Sequence, residues 1–303
     1  MVDSDTLDIE ETLKFLGSLG DCELCVGATP KFKVHVHSDH PDQVLNYFLE
    51  RGQISEVFIH NMQLQSEERV EKLDGSNDTE QHPHKEIGIV AVAAGEGNAE
   101  ILKSLGVDIV VSGGQTMNPS TKDLADAANR ANADKVIFLP NNKNIILAAK
   151  SACEVLECEA AVLETRNIPS AFSALMVFDA DTSFSDNVDA MKGAIADVKC
   201  GEITRAIKDS KDADNNPIKE GDFIGINDGE ILSVKQNVQD CVMGLLERLG
   251  ASDCDIMTLL CGDEFSEAES SELEEKIEAK YPDLDIDTHQ GGQPLYPVIF
   301  GLE

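Results

Sequence analysis

Residues 87–97 read Ile-Gly-Ile-Val-Ala-Val-Ala-Ala-Gly-Glu-Gly, and this stretch decides the fold of most of the chain. A continuous apolar run stopped by glycine suits a strand buried on both faces, since a half-exposed strand alternates apolar with polar. Beyond it the period changes to that of a helix over residues 98–105, closed by Gly106. Apolar strands at 108–112, 135–140 and near 161–164 then alternate with helical patterns at 122–132 and 144–156. That alternation predicts a doubly wound parallel sheet with both faces covered, in which ligands sit outside the carboxyl ends of the strands.

The reading extends outward in both directions. Residues 65–85 are polar and include Gly75-Ser76-Asn77 and His82-Pro83-His84, which suits a linker. Ahead of it, residues 8–19 form an amphipathic helical pattern, 22–27 and 31–37 alternate as strands, Pro41 opens a helix reaching 49, and 54–60 reads as a strand. Helix, strand, strand, helix, strand predicts a two-layer α+β sandwich whose first strand is missing. On the far side come helices at 169–178 and 186–198 and a hairpin of 223–227 with 230–234 turning on Asp228-Gly229. A helix at 238–249, a strand at 255–261, a helix at 267–281 and strands at 285–289 and 298–302 follow, giving a mixed α/β lobe. The expected organisation is a sandwich over 1–64, a linker over 65–85 and a two-lobed α/β domain over 86–303, with lobes of about 86–165 and 166–303.

Against 24 Lys and Arg stand 57 Asp and Glu, a formal net charge of −33. Such a surface repels phosphate backbones and anionic headgroups, so neither nucleic acid nor a polybasic membrane attachment is expected. No run reaches the length of a membrane helix and the acidic N-terminus lacks a signal-peptide layout, so the expected location is the cytoplasm. The eight cysteines are scattered and read as reduced thiols.

Four loops fall where a doubly wound fold places ligands. Gly95-Glu96-Gly97 is a lone GxG, better suited to a tight turn than to phosphate. The loop from Ser112 to Thr121 is dense in small hydroxyl and amide groups, among them Thr116, Asn118 and Ser120, where a helix cap needs only one, and Gly114 is a further candidate there. Asn141 and Asn142 follow the next strand, and His289 and Gln293 belong to a fourth loop. In the sandwich, His35 and His37 lie on one strand face, the beginning of a zinc site that requires three or four ligands. Hairpin pairing would set Cys25 near His35 and Cys22 near His37, but their different parity lets at most one cysteine share the histidine face. The metal site is therefore expected to be incomplete. No GxxxxGK[ST] loop, kinase motif set or nucleophile–base order occurs, so no ATP binding and no catalysis by this chain alone are expected.

His35-Val36-His37 with Pro41, residues 88–97, GGQTMNPST at 113–121, LPNNKN at 139–144, GDFIGI at 221–226 and GGQPLYP at 291–297 together resemble the middle and C-terminal regions of the A-type subunit of bacterial fatty acid kinase. The resemblance covers nearly the whole chain. It implies a family plan of an N-terminal dihydroxyacetone-kinase-L-type ATP domain, a middle domain and a C-terminal domain shaped like the DegV fatty-acid-binding proteins. On that plan the chain would begin after the kinase domain and after a cysteine-bearing first strand, leaving His35 and His37 without that third partner. The resemblance further implies a kinase domain on another chain, a partner in the form of a separate DegV-like fatty-acid-binding subunit, and a homodimer. Thr116, Asn118, Ser120 and His289 would be the ligand-contacting residues. The expected role is docking and regulation in acyl phosphate formation, with a stand-alone DegV-like lipid carrier as the alternative.

Overall fold

A computed structural model describes residues 2–55, 57, 83–114, 118–212 and 217–303. The chain divides into two compact units, Met1–Thr79 and Glu80–Glu303.

In the first unit β1 (Val2–Asp3), α1 (Ile9–Leu19), β2 (Gly20–Ala28), β3 (Lys31–Ser38), α2 (Pro41–Leu49) and β4 (Gln53–Ile54) follow in order. α1 starts where Asp8 accepts the backbone N–H of Glu11 at 2.9 Å, satisfying a donor that the helix itself cannot. Pro41 opens α2, because its φ already suits a first turn and its missing N–H is not needed there. The strands form an antiparallel sheet in the order β2-β3-β1-β4. Leu16, Phe32, Tyr47 and Phe48 fill the layer between helices and sheet. Tyr47 stacks on Phe15 with ring centroids 3.9 Å apart.

The sandwich expected without its first strand has two residues in that place. Val2 pairs with Phe32 on one side and Ile54 on the other, and its side chain is buried. Beyond Phe32, β3 has no partner on the β1 side among the described residues. The expected strand over 54–60 begins at Gln53, but 58–60 lie outside the described residues, as does the expected linker apart from its last residues.

The second unit opens on β5 (Lys85–Ala93), which is buried at every position from Ile87 onward, as its unbroken apolar run requires. Next come α3 (Glu96–Ser104), β6 (Ile109–Ser112), α4 (Thr121–Arg130), β7 (Ala133–Leu139), α5 (Ile146–Val155) and β8 (Glu159–Val162). The four strands are parallel in the order β6-β5-β7-β8. α6 (Ile168–Met176) and α7 (Phe184–Asp197) cover one face of this sheet through Phe172, Val188 and Met191, and α4 and α5 cover the other through Leu124 and Ala149.

The rest is built on a mixed six-stranded sheet. Its elements are β9 (Lys199–Arg205), a small ribbon of β10 (Ser210–Lys211) and β11 (Pro217–Ile218), β12 (Phe223–Asn227), β13 (Glu230–Lys235), α8 (Val238–Leu249), β14 (Ile256–Cys261), α9 (Glu267–Lys280), β15 (Asp285–Gln290) and β16 (Val298–Leu302). The order is β13-β12-β9-β16-β14-β15, and only β14 and β15 run parallel. Asp228 and Gly229 both take positive φ, 47° and 89°, which is what a tight hairpin turn of the primed kind demands. The architecture is thus the expected α/β class, a parallel sheet joined to a mixed one. No helix among the described residues is long and apolar enough to cross a membrane.

Candidate functional site

An open parallel sheet forms a crevice where adjacent strands send their connections to opposite sides. β5 leads through α3 to β6, whereas its neighbour β7 leads through α5 to β8, so the reversal falls between β5 and β7. A cavity of about 230 Å³ lies there. Val92, Gly95, Gly114, Asn141 and Asn142 line it from the parallel lobe, and Glu202, Gln293 and Ile299 from the mixed one.

The asparagine after β7 takes φ of 55°, a conformation asparagine tolerates better than most residues. Asn141 Nδ2 donates to the Val92 carbonyl at 2.9 Å, and its backbone N–H donates to Thr165 Oγ1 at 3.0 Å. The residue therefore ties β5 to the loop beyond β8. Asn142 Oδ1 accepts the backbone N–H of Asn144 at 2.9 Å, holding the turn that leads to α5.

Gln293 and Asn98 join the two lobes. Gln293 Nε2 donates to the carbonyls of Leu260 at 2.9 Å and Tyr296 at 3.2 Å, while Gln293 Oε1 accepts from Asn98 Nδ2 at 3.0 Å. Around them two backbones touch. A Cβ on Gly97 would lie on the Gln290 carbonyl oxygen, and one on Gly95 would lie against that of Gly291. The N–H of Asn98 donates to the Gly291 carbonyl at 3.0 Å, so a protein oxygen holds a position at the start of α3 that an anion could otherwise take. Gly95-Glu96-Gly97 is accordingly a joint between lobes, in keeping with a tight turn rather than a phosphate loop.

Glu202 on β9 is the only Asp, Glu, Lys, Arg or His among the described lining residues. Burial pushes its carboxyl up to about 7; Lys143 opposes the rise and Asp228 adds to it. A carboxyl whose folded value exceeds its unfolded value binds protons more tightly when folded, so it stabilises fully below the unfolded value. That contribution fades as pH rises from about 4.5 through about 7. Glu202→Gln is expected to flatten this slope and stabilise the chain by about 2 kcal/mol at alkaline pH, a figure discounted for partial solvent access. Urea unfolding of both proteins across that window checks it.

The structure brings some sequence-derived candidates together and leaves others apart. Gly114, Asn141, Asn142 and Gln293 line the cavity, and Thr116 lies outside the described residues. Asn118 is exposed and does not line it. Ser120 caps α4, its hydroxyl accepting from the Asp123 N–H at 3.2 Å and donating to Asp123 Oδ2 at 2.8 Å. His289 Nε2 sits 2.8 Å from Asp287 Oδ2 on β15, away from the cavity lining. Sequence reasoning missed Asn98, Thr165 and Glu202. Asn98 directly follows the Gly-Glu-Gly turn, which is a usable signal, whereas Glu202 becomes visible only once β9 is known to flank β16.

The histidine strand pairs differently from expectation. Leu24, not Cys25, is opposite His35; Cys25 is opposite Val34, and Asp21 is opposite His37. From Leu24 to the turn the register is unbroken, so Cys25 shares its face with Val34 and not with His35, its neighbour one residue along. Cys25 is therefore buried in the core, where burial raises its thiol pKa, and it does not join His35. The side chains of Cys22 and His37 lie outside the described ones. Among the described residues no three His, Cys, Asp or Glu gather as metal ligands do.

Residues 88–303 match the FakA-like C-terminal family model, that of fatty acid kinase A-subunit-like proteins, and residues 1–69 match the FakA-like middle-domain model. The chain belongs to the FakA-like family. Its relatives in the family include protein YloV of Bacillus subtilis, 38% identical over 289 residues that cover 95% of this chain and 52% of that protein. The chain spans about half the length of the curated relatives it matches. Among solved structures, a DegV family protein from Corynebacterium glutamicum superposes with TM-score 0.54 at 12% identity, covering 72% of this chain and 97% of its own. A DegV family protein from Thermus thermophilus, described for fatty acid binding, gives 0.53 at 12% identity over 72% and 99%. At such identities the likeness establishes a shared fold, the DegV fold, within this FakA-like chain.

Proposed function

We propose that this chain is the docking and regulatory portion of a fatty acid kinase system. In this reading it recruits a separate DegV-like fatty-acid-binding subunit, whose bound fatty acid is phosphorylated at its carboxylate by a kinase domain lying outside residues 1–303. The observation that carries the reading is the cavity at the sheet reversal. At about 230 Å³ it falls below the roughly 300–1,000 Å³ of ordinary small-molecule sites. Its lining also includes an acid, Glu202, whose charge when ionised would repel a carboxylate head. A DegV fold with so little room serves better as a shape for protein contact than as a lipid carrier.

The carrier reading has one observation in its favour: Val92, Ile145, Ile168 and Ile299 give the cavity an apolar side. The two readings separate on lipid binding. The docking reading expects the purified chain to hold no oleate in a fluorescence displacement assay at low micromolar concentration. Stoichiometric, saturable oleate binding would favour the carrier instead.

A further inference from the structure

The mixed sheet ends on β13, which pairs with β12 alone. No strand among the described residues lies on its other side, so the N–H and C=O groups of that edge are open to a further strand. A groove of about 660 Å³ borders the edge, within the range of ordinary binding sites. Ser233, Val234 and Lys235 all line it, and they pair in succession with Gly225, Ile224 and Phe223. Their side chains alternate between the two faces of the sheet, so a groove that reaches all three follows the edge of β13 rather than one face.

Helix α8 lines the groove through Gly244 and Glu247. Alanine is preferred to glycine inside a helix, but a Cβ on Gly244 would stand 2.7 Å from Ser233 Oγ and 3.4 Å from Lys235 Cε. Gly244 thus lets α8 lie close on β13, with the stem of Lys235 against it. Asp222 fixes a second lysine at the end of the strand. Its Oδ2 accepts the Lys219 backbone N–H at 2.9 Å, and its Oδ1 accepts from Gln236 Nε2 at 2.6 Å. Gln236 directly follows Lys235, so Lys219 and Lys235 belong to the same end of the groove.

The charges at that end are unequal. Asp222 is occupied by its two donors, and Glu247 pairs with Lys280 at 3.1 Å. Asp212 and Arg248, also on the lining, have contacts of their own. The ammonium groups of Lys219 and Lys235 make no ion pair or hydrogen bond among the described residues. An open strand edge is complementary to extended backbone, and two uncommitted ammonium groups are complementary to a carboxylate.

We propose that this groove receives an extended acidic segment of a partner protein, which adds to β13 as a further strand and brings a carboxylate to Lys219 and Lys235. This goes beyond the docking reading and does not rest on it, since the test uses a synthetic peptide and the whole chain alone. The probe is the capped peptide acetyl-Thr-Glu-Val-Glu-Thr-amide, about 17 Å long when extended, titrated by isothermal calorimetry at about 0.1 M salt. Saturable binding with a dissociation constant below about 1 mM is the expected result. Replacing both glutamates of the peptide by glutamine, or making Lys219→Gln with Lys235→Gln in the chain, is expected to weaken it about tenfold. The fully N-methylated peptide keeps its charge but has no backbone donor, and it is expected to bind at least about tenfold more weakly. Equal affinity for the N-methylated peptide would reduce the contact to charge attraction and overturn strand addition. Equal affinity for the glutamine peptide, or no binding of the probe up to about 10 mM, would overturn the proposal as well. So would slowed amide exchange in β13 when the chain is concentrated by itself, the outcome if a second copy of this chain occupies the edge.

Discussion

Gly97→Ala lowers the melting temperature of the second unit by roughly 6–12 °C, corresponding to a loss of about 3 kcal/mol in a domain of this size. The cause is steric. The new methyl would fall on the carbonyl oxygen of Gln290, with the Gln290 carbonyl carbon 2.9 Å away, and both atoms are backbone. A side chain could swing aside, but a strand end held in the β14–β15 ladder cannot do so without breaking pairing. Gly97 lies in α3, where alanine is otherwise preferred to glycine by about 1 kcal/mol, so propensity works against the predicted loss. Gly193→Ala supplies the control. It lies in α7 with nothing within 4 Å of a new Cβ, and it is expected to stabilise by up to about 1 kcal/mol. Calorimetric melting of both variants separates contact from propensity; a Gly97→Ala protein as stable as the parent would refute the joint between lobes.

Phe300→Ala is the second large effect, about 3–5 kcal/mol in chemical denaturation. Phe300 lies on β16, paired to β9 on one side and β14 on the other, and its side chain is fully buried. Its ring occupies the space a side chain at Gly201 would need, with Leu245 beside it at 2.8 Å from the same position. The loss therefore combines apolar transfer with a cavity that the sheet cannot close. Gly201→Ala alone is expected to destabilise through collision with that ring, but to cost less or even to stabilise when Phe300 is already alanine. Strict additivity in this double-mutant cycle would contradict the packing described.

The parallel lobe was legible because burial on both faces leaves a signature in one short window: from Ile87 the run in β5 admits no polar residue. The Asp228-Gly229 hairpin was equally legible, since few residues take positive φ in sequence. The mixed sheet was less so. Its central pairings join β9 to β16 across nearly a hundred residues, and local periodicity carries no record of such partners. That gap is why Glu202 escaped notice while Asn141 and Gln293, in loops rich in turn-forming residues, did not. In the first unit, hairpin pairing was expected to set Cys25 near His35, but the register that runs unbroken from Leu24 to the turn pairs Cys25 with Val34 and puts it in the core. The two-residue β1 was too short for any period to show, although Val2 pairs on both sides.

The proposed docking role rests on a DegV-shaped unit whose cavity measures about 230 Å³, in a chain of the FakA-like family. Native mass spectrometry of the purified chain, recorded with and without a separate lipid-loaded DegV-like protein, tests that claim most directly. A stoichiometric complex with the loaded partner, and no lipid-sized adduct on the chain alone, is the predicted result. A lipid adduct on the isolated chain with no complex formed would contradict it.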